Sequence, residues 1–594
     1  MVIVMRYVYF VSYVFVLGLS GCSWRPFVGG ESRLIVAEDA KARFASENDV
    51  SGRKSYHAVG ARIGVATHGV AATQAARRIL EEGGNIIDAA VAASFVISVE
   101  RPQSTGLGGG GFMLYRDAKS GKVYAIDFRE RAPLKANEAM FLDESGKYDP
   151  RRARNGVLAV AVPGLVAGLY EIHSKFGALP FASVVQPAIE LAENGFSVYP
   201  ELAFALKVRA DDLRKDPGAR SIFLNEKGEP LPVGHILVQK DLAQTLRAVA
   251  ARGRDGFYKG PVASKILRFV KSGKGLISEV DFAQYKVIWR QPVVGSYKGF
   301  EIYSMPPPSS GGVHVIQFLG FLENDPLRTF GFLSAKSIHL AAAALQSAFA
   351  DRAYYLGDPD FVAVPTARLI SPVYIAERRK AVSLSKARSA DEVAPGTIEI
   401  RESEHTTHVS LMDSEGNAVA STQTINGFMG AGVVPPGTGV VLNNEMDDFA
   451  SPDGSANLFG AFGGKANAIA PRKTPLSSMS PTLLIRDGKV HMAVGAPGGT
   501  RIISCVAQTI LNWVEFRMPL KDAVAAVRYH HQWKPDELLI EPPGPGGKVV
   551  KRLEEMGYRV NIRPIGCKVM AVARESDRLH AVADPRDIGT SWAQ

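Results

Sequence analysis

Cysteine is scarce in this chain, with three among 594 residues, at Cys22, Cys505 and Cys567. So low a count excludes a disulfide-stapled scaffold, and neither late cysteine falls in a metal-ligand spacing. No apolar run is long enough to cross a bilayer, which takes roughly 20 residues. The phosphate-binding signature Gly-Lys-Ser/Thr does not occur, and without Gly-x-Ser-x-Gly there is no nucleophile elbow. Internal repeats and low-complexity blocks are also missing. The net charge of +10 comes without a dense basic stripe, zinc-finger spacing or aromatic RNA-binding signature. It reads as a solvated basic surface, and no nucleic-acid partner is expected.

Three patterns mimic functional sites and fail on context. Gly106-Leu107-Gly108-Gly109-Gly110-Gly111 satisfies G-x-G-x-x-G, but strand-like Phe112-Met113-Leu114-Tyr115 follows where a dinucleotide fold needs a helix. A tight glycine loop is expected instead. Ser51-x-x-Lys54 and Ser383-x-x-Lys386 have no downstream Ser-Asp-Asn. His530 and His531 are adjacent, and neighbours on regular backbone point apart, so they are expected in a core or interface and no metal site is assigned.

What is present is a layered α/β pattern. Residues 69–97 carry apolar positions at three- and four-residue spacing, broken by Gly83-Gly84, and predict helix. Residues 112–115 and 123–128 alternate around Ser120-Gly121 and predict a hairpin. Residues 163–390 read as a long, mostly helical region. From Thr406 the character changes. Residues 406–412 and 418–425 predict two strands across Ser414-Glu415-Gly416-Asn417, and residues 482–485 and 490–494 a second pair across Asp487-Gly488. Gly498-Gly499 then leads into an apolar helical stretch, 502–516.

Two threonines at a strand start, Thr406-Thr407, mean little alone, because β-branched residues favour strands. Their ordered company is specific. Thr424-Ile425-Asn426 follows, then Asn443-Asn444-Glu445-Met446-Asp447-Asp448-Phe449, Pro475-Leu476-Ser477-Ser478-Met479-Ser480-Pro481 and Gly495-Ala496-Pro497-Gly498-Gly499. Asp127-Phe128-Arg129-Glu130 lies far upstream. In this order and near this spacing the segments resemble the gamma-glutamyltranspeptidase family. The resemblance extends from about residue 66 to 589 and takes in Pro306-Pro307-Pro308-Ser309-Ser310-Gly311-Gly312, His530-His531-Gln532-Trp533 and Asp584-Pro585-Arg586.

The resemblance implies an α+β, N-terminal-nucleophile hydrolase fold, a four-layer αββα sandwich built from two subunits cut from one chain. The cut falls between His405 and Thr406, leaving a large subunit, 60–405, and a small catalytic one, 406–594. Cleavage frees an α-amino group with a reference pKa of about 7.7–8.0, which serves as base for the Thr406 hydroxyl. By the same resemblance Thr424 orients that hydroxyl, and the amides of Gly498 and Gly499 form the oxyanion hole. Arg129 clamps the α-carboxylate of a gamma-glutamyl group with help from Ser477 and Ser478, while Asn426, Glu445 and Asp448 receive its ammonium. Glutathione and other gamma-glutamyl compounds are the implied donors, amino acids or dipeptides the acceptors, and no cofactor is required. Residues 450–472 match the family's lid, with Phe459 where many bacterial members place a tyrosine. Sibling activities on the same scaffold stay open: a cephalosporin or glutaryl acylase, a poly-gamma-glutamate depolymerase, or an uncleaved binding lipoprotein.

The N-terminus adds location. Arg6 precedes an apolar run, 7–19, in the manner of a secretory signal. Leu19-Ser20-Gly21-Cys22 resembles a bacterial lipobox, which implies removal of residues 1–21 and acylation of Cys22. Polar residues 22–59 are expected to form a tether. The protein would then be periplasmic and lipid-anchored, with Ser23 after the cysteine favouring the outer membrane. Cys505 and Cys567 are either one disulfide or two buried thiols, with thiols slightly preferred.

Overall fold

The hairpin expected across Ser120-Gly121 forms, with strands Gly110–Arg116 and Val123–Asp127 antiparallel and Tyr115 opposite Tyr124. The computed structural model describes residues 56–393, 406–454, 457–458, 460 and 463–594. The pair expected after Thr406 forms too, as strands Thr407–Asp413 and Ala418–Thr424, and so does the pair Thr482–Arg486 and Lys489–Gly495. These hairpins are the middles of two seven-stranded sheets. The first runs Thr590–Ala593, Ile63–Thr67, Thr407–Asp413, Ala418–Thr424, Gly110–Arg116, Val123–Asp127, Ile288–Arg290. The second runs His57–Gly60, Arg578–Ala583, Met570–Glu575, Lys489–Gly495, Thr482–Arg486, Phe300–Ser304, Val293–Tyr297.

Strand periodicity sorts the side chains into layers. In the first sheet Ala66, Phe112, Leu114, Met412 and Ala420 face the second sheet and share its core. Their neighbours Val65, Met113, Tyr115, Leu411 and Val419 face the opposite way, onto helices that include Ile86–Glu100 and Leu165–Phe176. Helix Ile86–Glu100 is buried all round, which explains its continuous apolar sequence, and Asn85 starts it with a capping box. Behind the second sheet lie helices Gly311–Leu322, Ala335–Tyr355 and Arg501–Val514. The result is the expected four-layer αββα sandwich of an N-terminal-nucleophile hydrolase. Both sheets interleave strands from before residue 393 with strands from after residue 406. Both main cores draw side chains from the two parts.

Two expectations need correction and a third an addition. The region 163–390 is mostly helical, as expected, but it also holds strands Ile288–Arg290, Val293–Tyr297 and Phe300–Ser304. The last two join through a two-residue turn in which Lys298 and Gly299 both take positive φ, 47° and 83°, as a primed hairpin turn requires. Strands of five residues were too short to stand out against the long helices around them. Strand His57–Gly60 begins inside the stretch expected to be tether, because its pairing with Arg578–Ala583 makes it a sheet edge. Cys505 and Cys567 are bonded to each other, with Cα atoms 6.7 Å apart, rather than two thiols. That pairing depends on tertiary approach of residues 62 positions apart.

The glycine run at 106–111 packs backbone on backbone. A Cβ on Gly109 would lie 2.0 Å from the Thr424 carbonyl oxygen, and one on Gly108 2.2 Å from that of Val441. Only glycine lets this loop lie against the end of strand Ala418–Thr424, and so beside Thr406. Among the described residues no helix is long and apolar enough to cross a membrane.

Candidate active site

Thr406 immediately precedes strand Thr407–Asp413, in the middle of the first sheet, and is buried. It lines two cavities at once. One, of about 20 Å³, is also lined by Thr424, Gly499 and all six residues singled out for substrate contact: Arg129, Asn426, Glu445, Asp448, Ser477 and Ser478. The other, of about 630 Å³, is walled by Gly498 and Pro497, by apolar Phe204, Val208 and Phe428, and by cationic Arg501, Arg563 and Lys568. A compact polar pocket and a roomy amphipathic basin thus meet at one hydroxyl.

Arg129 follows strand Val123–Asp127 and is fully buried. One guanidinium nitrogen bonds Glu445, and the other donates to Asp448 Oδ2 at 2.6 Å. Both carboxylates come from one 3₁₀ turn, Glu445–Asp448. The groups expected to take a ligand's ammonium are therefore holding Arg129, as a buried guanidinium demands counter-charge. Asn426 has a positive φ of 70°, and its amide donates to Thr424 Oγ1 at 2.8 Å. Among the described residues its buried Oδ1 accepts no hydrogen bond, which leaves an acceptor in the pocket wall.

The serines are buttressed by the proline-rich segment. Ser477 N donates to Pro308 O at 2.9 Å, and Ser310 Oγ donates to Ser477 O at 2.8 Å. Gly498 and Gly499 have φ of 135° and 54° between strand Lys489–Gly495 and helix Arg501–Val514. Their carbonyls accept from Arg501 and Ile502, so their own amides belong to the helix start, outside the intrahelical ladder. Donors here, with the helix dipole behind them, suit a developing negative charge.

Two contributors escaped sequence reasoning. Arg352, on helix Ala335–Tyr355, is buried and donates to Ser310 Oγ at 3.1 Å and Ser478 Oγ at 3.3 Å. A charge late in an alanine-rich buried helix was the available signal. Burial lowers its guanidinium to about 10, and Arg129 adds to that. Asn457, from the expected lid, donates to Asp448 Oδ1 at 2.7 Å.

The acids around Arg129 crowd one another. Burial pushes the Glu130 carboxyl up to about 7 and Asp448 up to about 6, in each case against the pull of Arg129. Burial also raises Glu445 well above the ordinary carboxylate range. The folded protein holds the Glu130 proton more tightly than the unfolded chain, whose value is near 4.5. Its stabilisation is therefore full below that value and is lost as pH rises through about 7. Glu130→Gln, neutral at every pH, is expected to flatten the fall in melting temperature between about pH 5 and about pH 8. Identical pH profiles for the two proteins would count against this titration.

His68, Glu201 and Asp587 also come together, His68 and Glu201 in the wall of the larger cavity. Each acid is already committed. Glu201 pairs with Arg101 at 2.5 Å and Lys568 at 3.3 Å, and Asp587 pairs with His68 and, at 3.6 Å, Arg101. The group is an ion-pair network across five segments. His530 and His531 are both buried and do point apart. His530 bonds Ser504 and Gln532, whereas His531 faces Asp536 at 3.3 Å. His405, Phe459 and Cys22, singled out for cleavage, lid and lipidation, lie outside the described residues.

In comparisons with known proteins, the family model for Gamma-glutamyltranspeptidase matches residues 72–593. The chain is 44% identical over 536 residues to a glutathione hydrolase proenzyme of Escherichia coli strain K12, covering 90% of this chain and 92% of that one. It is 42% identical over 477 residues to the acylase ACY 1 proenzyme of Pseudomonas sp. strain SE83, covering 79% and 83% respectively. A solved cephalosporin acylase from Bacillus halodurans superposes with a TM-score of 0.81 at 25% identity, covering 92% of this chain and 98% of that one.

Proposed function

The chain belongs to the gamma-glutamyltranspeptidase family, and from that premise we propose that it is a glutathione hydrolase and gamma-glutamyltransferase which cuts itself between His405 and Thr406. The observation that carries this reading is the position of Thr406, on the wall of both the acid-and-arginine pocket and the larger basin. In maturation the Thr406 hydroxyl attacks the His405 carbonyl, the acyl group moves from nitrogen to oxygen, and water cleaves the ester. Residues 60–405 and 406–594 then stay together through their interleaved sheets.

In turnover the freed Thr406 amine takes the hydroxyl proton as the oxygen attacks the gamma-glutamyl amide. The tetrahedral oxyanion is met by the amides of Gly498 and Gly499. Collapse expels the amine, which leaves with that proton, and an ester on Thr406 remains. Water, or the amine of an amino acid or dipeptide, resolves it. Thr424 holds the 424–426 turn beside the nucleophile.

Charge balance explains how the small pocket takes a gamma-glutamyl group. Arg129 is neutralised from within by Asp448 and Glu445. A zwitterion replaces those pairs with equivalent ones, its carboxylate on Arg129, Arg352 and the two serines, its ammonium on Asp448, Glu445 and the Asn426 oxygen. At about 20 Å³ the pocket must widen for this, and Asn457 on Asp448 links the opening to segment 450–472, where Phe459 would act as gate. The basin receives the leaving group or acceptor, and Arg501, Arg563 and Lys568 on its wall suit a terminal carboxylate. Upstream, we assign residues 1–21 to a signal, acylated Cys22 and residues 23–56 to a tether, and the protein to the periplasmic face of the outer membrane.

An acylase of cephalosporin or glutaryl type is the second reading, and the similarity to the ACY 1 acylase and the Bacillus halodurans cephalosporin acylase favours an acylase as the alternative. A glutaryl group has no ammonium, and would leave Asp448 and Asn426 facing a methylene in a buried site. The test incubates the full chain and its Thr406→Ala variant with glutathione, with and without glycylglycine, and weighs the products. Glutamate, cysteinylglycine and gamma-glutamyl-glycylglycine from the wild type alone are expected. Cleaved protein that ignores glutathione but hydrolyses glutaryl p-nitroanilide would move the assignment to the acylases.

A further inference from the structure

The Cys505–Cys567 disulfide takes no part in this chemistry, yet it lies directly beneath it. Cys505 sits just past the first turn of helix Arg501–Val514, the helix that Gly498 and Gly499 lead into. Cys567 belongs to the segment between strands Val560–Ile562 and Met570–Glu575, and its neighbours Gly566 and Lys568 line the larger cavity together with Gly498. Contact between the two loops is close. A Cβ built on Gly498 would lie 2.7 Å from Cys567 Cβ and 3.0 Å from its Cα. The Gly498 main chain thus rests on Cys567 with no space between them, in a conformation, φ 135°, that side chains rarely adopt.

We propose that the Cys505–Cys567 disulfide is a positioning brace for the oxyanion hole. It clamps the floor under Gly498 to the helix that begins at Arg501, and so fixes the direction of the two glycine amides. Oxyanion donors act because they are aimed beforehand, and a small misplacement lowers the rate without abolishing binding. Neither cysteine touches the small pocket where the donor's charged end binds, so the brace acts on the rate of the chemical step.

A second restraint holds the 567–569 segment separately from the bond. Arg528 Nη1 donates to Cys567 O at 2.9 Å, Arg528 Nη2 donates to Asp584 Oδ2 at 2.6 Å, and Asp584 accepts Val569 N at 2.8 Å. Without the disulfide the 567–569 segment therefore keeps its place on one side and loses its hold on the helix on the other. Reduction is balanced as dithiol exchange. Two electrons and two protons pass from an added dithiol, which leaves as its cyclic disulfide, and Cys505 and Cys567 become thiols.

The proposal rests on the acyl-transfer reading above, and one experiment separates their failures. Full-length, self-cleaved enzyme is assayed with gamma-glutamyl and glutaryl p-nitroanilides, oxidised and after dithiol treatment, with rates divided by active sites counted from the acylation burst. Alkylation and peptide mapping report Cys505 and Cys567. The double variant Cys505→Ala/Cys567→Ala is measured alongside. Complete loss of an oxyanion donor costs about 10²–10³ in kcat. Misaimed but present donors are expected to lower kcat about ten-fold, with donor KM within about two-fold, in both the reduced enzyme and the variant. Activity should fall in step with the appearance of the two thiols and return on reoxidation. A bond that only stabilises would lower the melting temperature and leave kcat per site unchanged, and that outcome overturns the brace. So does alkylation of both cysteines in the native, active enzyme, or a proportional rise in KM. If the double variant does not fold, the reduced wild type decides. An oxidised enzyme that turns over neither donor overturns the function and the brace together.

Discussion

Thr406→Ala is expected to give one uncut chain where the wild type gives two bands on a denaturing gel, with turnover lower by at least about 10⁴-fold. Loss of a nucleophile in comparable acyl-transfer enzymes costs that much or more. The effect is large because one residue has two duties. Without the hydroxyl there is no acyl shift and no cut, and without the cut the nitrogen at 406 stays an amide, which is no base. Thr406→Ser, which keeps the hydroxyl, is expected to be cut and to turn over donor. Packing does not account for the contrast, since serine also removes the buried methyl. An alanine variant that is still cut before residue 406 would assign the nucleophile elsewhere.

Arg129 carries the second large effect, and its two substitutions fail differently. Arg129→Lys keeps the charge, but an ammonium is a point and not a fork, and cannot span Glu445 and Asp448 as the guanidinium does. Losing one charge-assisted bond, worth about 1.5–3 kcal/mol, predicts a fall in kcat/KM of about 10- to 100-fold, carried mainly by KM. Arg129→Ala also leaves Glu130, Glu445 and Asp448 buried without their principal counter-charge, at a cost of about 3–5 kcal/mol of stability. The sign of its pH dependence follows. Burial already raises these carboxyls, to about 7 for Glu130 and about 6 for Asp448, and removing the cation raises them further. Below the ordinary carboxylate value the acids are neutral and need no partner, so the alanine variant loses least there and most as pH rises through and beyond those values. Thermal melts of both proteins across that range test it. A deficit independent of pH would mean that the acids do not titrate with the fold.

Why the pocket was legible and its electrostatics were not comes down to chain distance. Glu445 and Asp448 lie in one turn and Ser477-Ser478 in another, so each segment shows its chemistry locally. That Arg129 spends the resting state bonded to those acids is a contact across more than 300 residues, and no periodicity carries it. Arg352 was hidden for a similar reason, because a helix pattern marks which face is buried and not what a single buried charge will meet. The hairpin Val293–Tyr297 to Phe300–Ser304 shows the limit for elements. Two five-residue strands flanked by long helices give a weak alternation, and the sheet that stabilises them is completed by Thr482–Arg486, far along the chain.

The sequence by itself determined the strand pairs joined by tight turns, because each is written within a few neighbouring residues, and the order of the functional segments along the chain, whose resemblance to the family singled out Thr406. Tertiary structure decided what those segments do to one another. It put Thr406 between two cavities of unlike size, set three acids around one arginine so that burial and repulsion raise their affinity for protons, and joined Cys505 to Cys567 under Gly498. The physical reason is common to all three. Local conformation follows from side-chain shape and spacing along the backbone, whereas burial, charge balance and close packing depend on distances that exist only after both sheets have closed.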